Sequence, residues 1–507
     1  MKSLTKSKQL GFQFRLIPRF ESYPAIVSFV SSPLGKVLNI AIFAFGLILL
    51  GKSWWAEAAV VFLALSFFPK NRRSLVLAGT MYWLFSGNWW GAEDVRFLLS
   101  DSGATEPVDF TFLRWAICVT ALLFCVAYYK ASTAISEHWV RHRPLTSLLG
   151  LYLGMLTIGW ALPWYFQVAP IVQAFIWGFL ILFGKYIWFL AYALADRRAK
   201  ATPHIWWHLA YFQPFWGSTN VPFPKGAAYL RKIEAKNDQE LSICQIKATK
   251  LLYWTGGLAL IKWIFLSFVP SFGDRGTLPI IESILPISDV FSIPNVASAF
   301  EQSMNGTPYP FHLSIFVLIC DFLYTMLQLA IWGHIIIAMC RMAGFNALRN
   351  TYNPLGARTI AEFWNRYYYY FKELLVDMFF YPAFLRYFKK QPRLRMFFAT
   401  MSAAFLGNFI YHYLVESRHI LDVGPLQALL DIQYYIIYAF VLALAIGVSQ
   451  ILSEGKPRDR NSLKSRIAAP IGVCSFYCLL IILSHHKEVE ITFMDRMNFL
   501  LSLLSIG

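Results

Sequence analysis

Apolar runs of about 20 residues recur along the chain, and this pattern constrains its fold more than any other feature. A helix of that length matches the hydrocarbon thickness of a bilayer. Only a structure that satisfies its own backbone N–H and C=O groups can sit there, and a helix does so within one segment. Charged residues make up 14% of the 507-residue chain and hydrophobic ones 57%. A soluble protein carries roughly 25% charged residues. The expected fold class is an all-α polytopic membrane protein with about eleven transmembrane helices plus re-entrant or interfacial helices.

The runs place those spans near residues 37–50, 57–68, 74–90, 110–129, 145–166, 170–195, 251–269, 311–342, 396–415, 425–452 and 467–484. The first two are short enough to suggest a tight hairpin. The span at 311–342 is longer than the bilayer needs, which implies tilt or a kink. Residues 202–250 carry His204, Trp206, Trp207, His208 and several prolines, and read as a half-inserted hairpin rather than a span. The formal net charge is +17. Its lysines and arginines cluster in short loops, at 70–73, 197–198, 341–358 and 456–466, and alternate with acidic loops. That is the positive-inside pattern with the N-terminus cytoplasmic, so no nucleic-acid partner is expected. The seven cysteines show no metal-binding or secreted-disulfide spacing. No Gly-x-Ser-x-Gly, His-Glu-x-x-His or Walker loop occurs.

Residues 353–416 carry the chemistry. They open Asn353-Pro354-Leu355-Gly356, pass through Thr359-Ile360-Ala361-Glu362-Phe363-Trp364-Asn365-Arg366, and continue in an aromatic run to Phe380-Tyr381-Pro382. A basic patch follows (Arg386, Lys389, Lys390, Arg393, Arg395), then an apolar helix that ends Asn408-Phe409-Ile410-Tyr411-His412. The segment 363–390 is too polar and too aromatic for a plain span and reads as an interfacial helix. Its i, i+3, i+4 spacing puts Asn365, Tyr368 and Tyr369 on one face. A histidine on a membrane-length helix is costly to keep and is by default a functional residue. A general base must deprotonate a hydroxyl, and histidine suits this because its unperturbed pKa is near neutrality; His412 fits that role. Asn408, Tyr411 and Tyr413 are near enough in sequence to orient it or a carbonyl.

This stretch resembles the membrane-bound O-acyltransferase (MBOAT) family. The family pattern is a Ser/Thr-Ile-x-x-Phe-Trp helix, an aromatic-Pro exit and, some forty residues on, a histidine on an apolar helix. Here these are Thr359 to Trp364, Phe380-Tyr381-Pro382 and His412. A weaker match, Tyr211 to Gly217, is similar to the family's proline-glycine loop. The chain departs from the pattern at Tyr368, where relatives carry Asn, His or Asp, and at Asn365, a position often held by Arg.

The resemblance implies an MBOAT-like catalytic core, set here at 201–452. It would follow a cytoplasmic segment at 1–36 and a helical bundle at 37–200, and precede C-terminal helices at 453–507. It implies catalytic roles for His412 with Asn365 or Tyr368. Substrate contacts would come from Trp364, Asn408, Tyr411, His334, Arg358 and Arg366, with the arginines suited to carrier phosphates. No tightly bound cofactor is implied. The donor would be an acyl thioester, acyl-CoA or acyl-carrier protein, on the cytoplasmic side. The acceptor would be an extracytoplasmic hydroxyl on an envelope polysaccharide or lipid, with membrane lipids and an accessory envelope protein as partners. The setting suggested is a bacterial inner membrane. Two other classes compete: a transporter using Asp321, His334 and Lys262, and a scaffold of an export complex, which Tyr368 favours. Asp321 and His334 are not a pair, since thirteen residues of helix separate them by about 20 Å.

Overall fold

The computed structural model describes residues 17–86, 92–101, 109–134, 143–197, 204–212, 214–218, 221–272, 278–284, 293–453, 462, 464–484 and 491–504. The basic N-terminus up to residue 16, Gln213, the basic residues 456–460 and His485-His486-Lys487 lie outside them. The chain is an all-α polytopic membrane protein. Among the described residues the one extended pairing is a bridge between Glu234 and Phe345.

Among the described residues, seven helices are long and apolar enough to cross a bilayer: Phe110–Ser132, Leu145–Tyr165, Pro170–Asp196, Asp238–Phe268, Phe311–Met342, Gln433–Leu452 and Ser465–Leu483. An eighth arises if Pro24–Ser31 and Pro33–Leu49, bent by 96°, count as one span. Ser32 caps the second piece through Gly35 N at 3.1 Å. The bend brings the Phe29 carbonyl so close that a Cβ on Gly35 would meet its oxygen at 1.9 Å. The runs expected at 57–68 and 74–90 form the helices Trp55–Phe67 and Arg72–Ser86, both below spanning length, and residues 87–90 lie outside the described residues.

The helix expected from residue 251 begins thirteen residues earlier, at Asp238. Asn237 accepts the Glu240 N–H at 2.8 Å, and the Glu240 carboxylate accepts the Lys236 N–H at 2.9 Å. This capping arrangement satisfies the exposed first turn and lets the helix start in water-facing sequence. Its 31 residues pack along Phe311–Met342, which is unbroken over 32. Buried Gln245 ties the pair together, donating to Ser66 Oγ at 2.6 Å and to the Met342 carbonyl at 3.2 Å.

The segment before that helix is neither a span nor a loose loop. Phe212, Phe215, Trp216 and Phe223 are each at most 2% exposed. Trp216 Nε1 donates to the Phe223 carbonyl at 2.7 Å, and Thr80 Oγ1 to the Ala210 carbonyl at 2.8 Å. Irregular backbone is tolerated among membrane helices when protein covers it and its polar groups are paired. The aromatic side chains supply that cover.

Candidate active site

The expected interfacial helix is two helices. Ile360–Tyr367 stops at Tyr368, whose backbone (φ −135°, ψ 71°) is not helical, and Tyr369–Leu375 starts afresh. The break separates Asn365 from Tyr369, so the single face expected for Asn365, Tyr368 and Tyr369 does not form. A non-local segment compensates the break. Asn350 accepts the Tyr369 N–H on its carbonyl at 3.0 Å and the Tyr370 N–H on Oδ1 at 3.2 Å. Thr351 Oγ1 donates to the Tyr367 carbonyl at 2.8 Å, and Tyr352 N donates to the Arg366 carbonyl at 2.7 Å. These are the orphan groups that every helix end leaves.

The first helix is capped by Thr359, which accepts the Glu362 N–H at 3.0 Å. Glu362 in turn accepts the Arg358 N–H at 2.8 Å and pairs with Arg366 at 2.6 Å. Phe363, 1% exposed, stacks between Phe322 and Tyr477, and turns Trp364 and Asn365 toward the next helices.

Two π-helical turns follow, Val376–Phe380 and Ser402–Gly407, each within a longer helical arm. They pack against each other. Gly407 is required at the contact, because a Cβ there would stand 2.6 Å from the Phe379 ring. A π turn adds one residue and re-aims the side chains beyond it, and such turns concentrate at functional sites.

Between these arms lies a cavity of about 220 Å³. Trp364 and Asn365 line it from the first helix, Lys372, Val376 and Phe380 from the second. Thr400, Ala403, Ala404 and Asn408 come from the arm Pro392 to Val415, and Leu442, Ile446 and Gln450 from the span at 433–453. The walls are mainly apolar. The polar groups are Asn365, Lys372, buried Asn408 and the pair Thr400 Oγ1–Gln450 Oε1 at 2.7 Å.

His412 stands one turn beyond Asn408, half-buried among aromatic rings. The ring centroids lie 4.3 Å from Tyr435, 5.1 Å from Tyr411 and 5.9 Å from Phe371. Tyr435 Oη donates to Asn408 Oδ1 at 3.3 Å. Asn408 therefore joins the cavity to the histidine through Tyr435. Tyr411 is buried behind it against Trp188, centroids 5.8 Å apart.

Of the residues singled out in the sequence, the cavity brings together Trp364, Asn365 and Asn408. His412, Tyr368 and Tyr411 do not line it and form the adjoining aromatic layer. His334 does not line it either: 3% exposed, its Nε2 is bonded to the Thr351 carbonyl at 3.0 Å. That makes it a support for the segment that bridges the helix break. Arg358 reaches Ser465 Oγ at 3.4 Å, and Arg366 is held by Glu362 and the Asn353 carbonyl. Neither arginine lines the cavity.

Sequence reasoning missed Lys225. Its Nζ lies 2.6 Å from Glu373 and 2.8 Å from Asp377, and Tyr192 Oη donates to Asp377 at 3.1 Å. Burial alone would lower the Lys225 pKa, but hydrogen bonds and charge from Asp377 and Glu373 outweigh it and hold the group up at about 12. Glu373 is desolvated, which would raise its pKa, yet bonds from Lys225 and Lys372 bring it below the usual value. The cluster ties the second helix to the buried aromatic loop. No signal in the sequence marks it, because its members lie about 150 residues apart.

Among the described residues no group of three or more His, Cys, Asp or Glu side chains could hold a metal ion. No protein-family model matches the chain, and no curated protein matches it.

Proposed function

We propose that this chain is a membrane-embedded O-acyltransferase of the MBOAT kind. The observation that carries the reading is the cavity between two π-turned arms, walled by Trp364, Asn365 and Asn408 and linked through Tyr435 to His412. In this reading the apolar walls hold the acyl group of a thioester, acyl-CoA or acyl-carrier protein, supplied from the cytoplasmic side. His412 takes the proton from an acceptor hydroxyl. The hydroxyl oxygen attacks the thioester carbonyl carbon, the C–S bond breaks, and the thiolate leaves. A positioned base of this kind contributes about 10²–10⁴-fold. Asn408 and Tyr435 orient the imidazole, and Asn365 stands where the carbonyl would lie. The acceptor is an extracytoplasmic hydroxyl on an envelope polysaccharide or lipid, and the setting a bacterial inner membrane.

A scaffold that has lost catalysis is the second reading. Two observations favour it: His412 does not line the cavity, and Tyr368 stands where the family resemblance expects the polar partner. The test is transfer itself. Purified protein in proteoliposomes, given labelled acetyl-, butyryl- and palmitoyl-CoA with envelope polysaccharide or phosphatidylglycerol as acceptor, is expected to move label to a hydroxyl. Absence of transfer with every donor and acceptor would favour the scaffold.

A further inference from the structure

Residues 385–394 form an unbroken exposed stretch at the turn between the helices Tyr381–Arg386 and Pro392–Met401. Five cations occur within residues 386–395: Arg386, Lys389, Lys390, Arg393 and Arg395. No Asp or Glu occurs between Asp377 and Glu416. Arg395 alone of the five turns inward. Its guanidinium lies 3.9 Å from the Phe384 ring centroid and it donates to the Phe384 carbonyl, which fastens the two arms.

The turn also carries apolar side chains in an arrangement that water does not favour. Leu385 is 64% exposed, Tyr387 46% and Phe388 43%. Phe388 has φ +48°, the left-handed region that bulky side chains avoid. Such an outlier persists only where its surroundings enforce it, and it points to a function for the segment. Here the strained backbone closes the turn, with Gln391 N donating to the Phe388 carbonyl at 3.0 Å.

We propose that this turn binds the phosphate headgroups of anionic lipids. Lys389 and Lys390 at the tip, with Arg386 and Arg393 beside them, hold the phosphate oxygens, and Leu385, Tyr387 and Phe388 sit at the headgroup–acyl boundary. Clustered cations next to a membrane-embedded helix attract anionic lipid, and interleaved aromatic and aliphatic groups anchor at the same depth. A soluble acidic protein would match the charge and leave the apolar side chains without a role. Phe380 on one arm and Thr400 on the other line the cavity and lie five and six residues along the chain from the turn. The proposal does not depend on acyl transfer.

The test uses the full chain in nanodiscs of phosphatidylcholine, titrated with phosphatidylglycerol and read by native mass spectrometry. Each cation removed is expected to weaken phosphatidylglycerol binding roughly fivefold. Arg386→Gln/Lys389→Gln/Lys390→Gln/Arg393→Gln therefore weakens it by roughly several hundredfold, with phosphatidylcholine retention unchanged. The milder Lys389→Gln/Lys390→Gln keeps the test available if the quadruple variant does not fold. Equal phosphatidylglycerol binding by wild type and the double variant would overturn the proposal. So would displacement of the lipid by inorganic phosphate, which would make this a free-anion site. Tighter binding of polyglutamate than of phosphatidylglycerol would also overturn it, in favour of a soluble acidic partner.

Discussion

The helices Asp238–Phe268 and Phe311–Met342 run unbroken beside each other, whereas the arms at 360–386 and 392–415 are interrupted by a non-helical tyrosine and two π turns. The first pair satisfies its backbone internally and packs closely along its length. The second pair leaves helix ends and re-aimed side chains that distant residues must satisfy: Asn350 and Thr351 at the break, Lys225 at the second helix. The cavity lies where the helices are irregular. In this chain regular helices form the frame, and irregular ones, held from outside, form the cavity walls.

Removing the outside supports is expected to have the largest effect. Lys225→Met leaves Glu373 and Asp377 without their shared cation in a half-buried place. Loss of a fully buried pair costs about 3–5 kcal/mol, and the partial exposure here reduces that to about 2–4. Thermal melting in detergent is expected to show the loss. The same residue sets a pH dependence. Its folded pKa is raised, from 10.5 to about 12, so the stability it contributes is complete below 10.5 and disappears as pH rises through about 12. Melting of the wild type should show that alkaline decline, and Lys225→Met should lack it.

Asn350→Ala comes next. It removes the acceptor of the Tyr370 N–H and leaves that donor buried, at about 1–3 kcal/mol. Hydrogen exchange should rise first in residues 369–375 and leave 238–268 protected. Gly407→Ala is smaller. Its Cβ pushes on Phe379, and overpacking of this kind costs about 1–3 kcal/mol, less where a ring can shift. Its expected signature is reduced acyl transfer with a melting temperature lowered by a few degrees. The smallest effect belongs to the frame. Ile337→Val, at a fully buried position of Phe311–Met342, should cost about 0.5–1.5 kcal/mol and leave transfer untouched. A loss of transfer there as large as at Gly407 would dissolve the distinction between frame and site.

The frame was legible in the sequence because hydropathy alone dictates it. Where hydropathy misplaced an element, a second signal was present: Asn237 and Glu240 mark the start of a helix that apolarity places at 251. The site was legible in part. Trp364, Asn365 and Asn408 stand out by motif and share the cavity. The break at Tyr368 was not legible, since no Gly or Pro marks it and the groups it leaves open are taken up by Asn350, eighteen residues away. The π turns have no residue signature in an apolar run. Lys225 looks like any loop cation until folding brings Glu373 to it. His334 is an intramembrane ionisable group and so drew a functional reading, but its ring is tied to backbone.

The central claim is that the irregular arms carry the chemistry and that His412 is its base. It is tested most directly by the transfer rates of His412→Ala and His419→Ala, purified and reconstituted side by side. His419 lies seven residues on and pairs with Asp431 at 2.7 Å, away from the cavity lining. Both variants should accumulate and melt close to the wild type. His412→Ala is expected to lose about 10²–10⁴-fold in rate and His419→Ala to keep the wild-type rate. Transfer at the wild-type rate by His412→Ala would contradict the account.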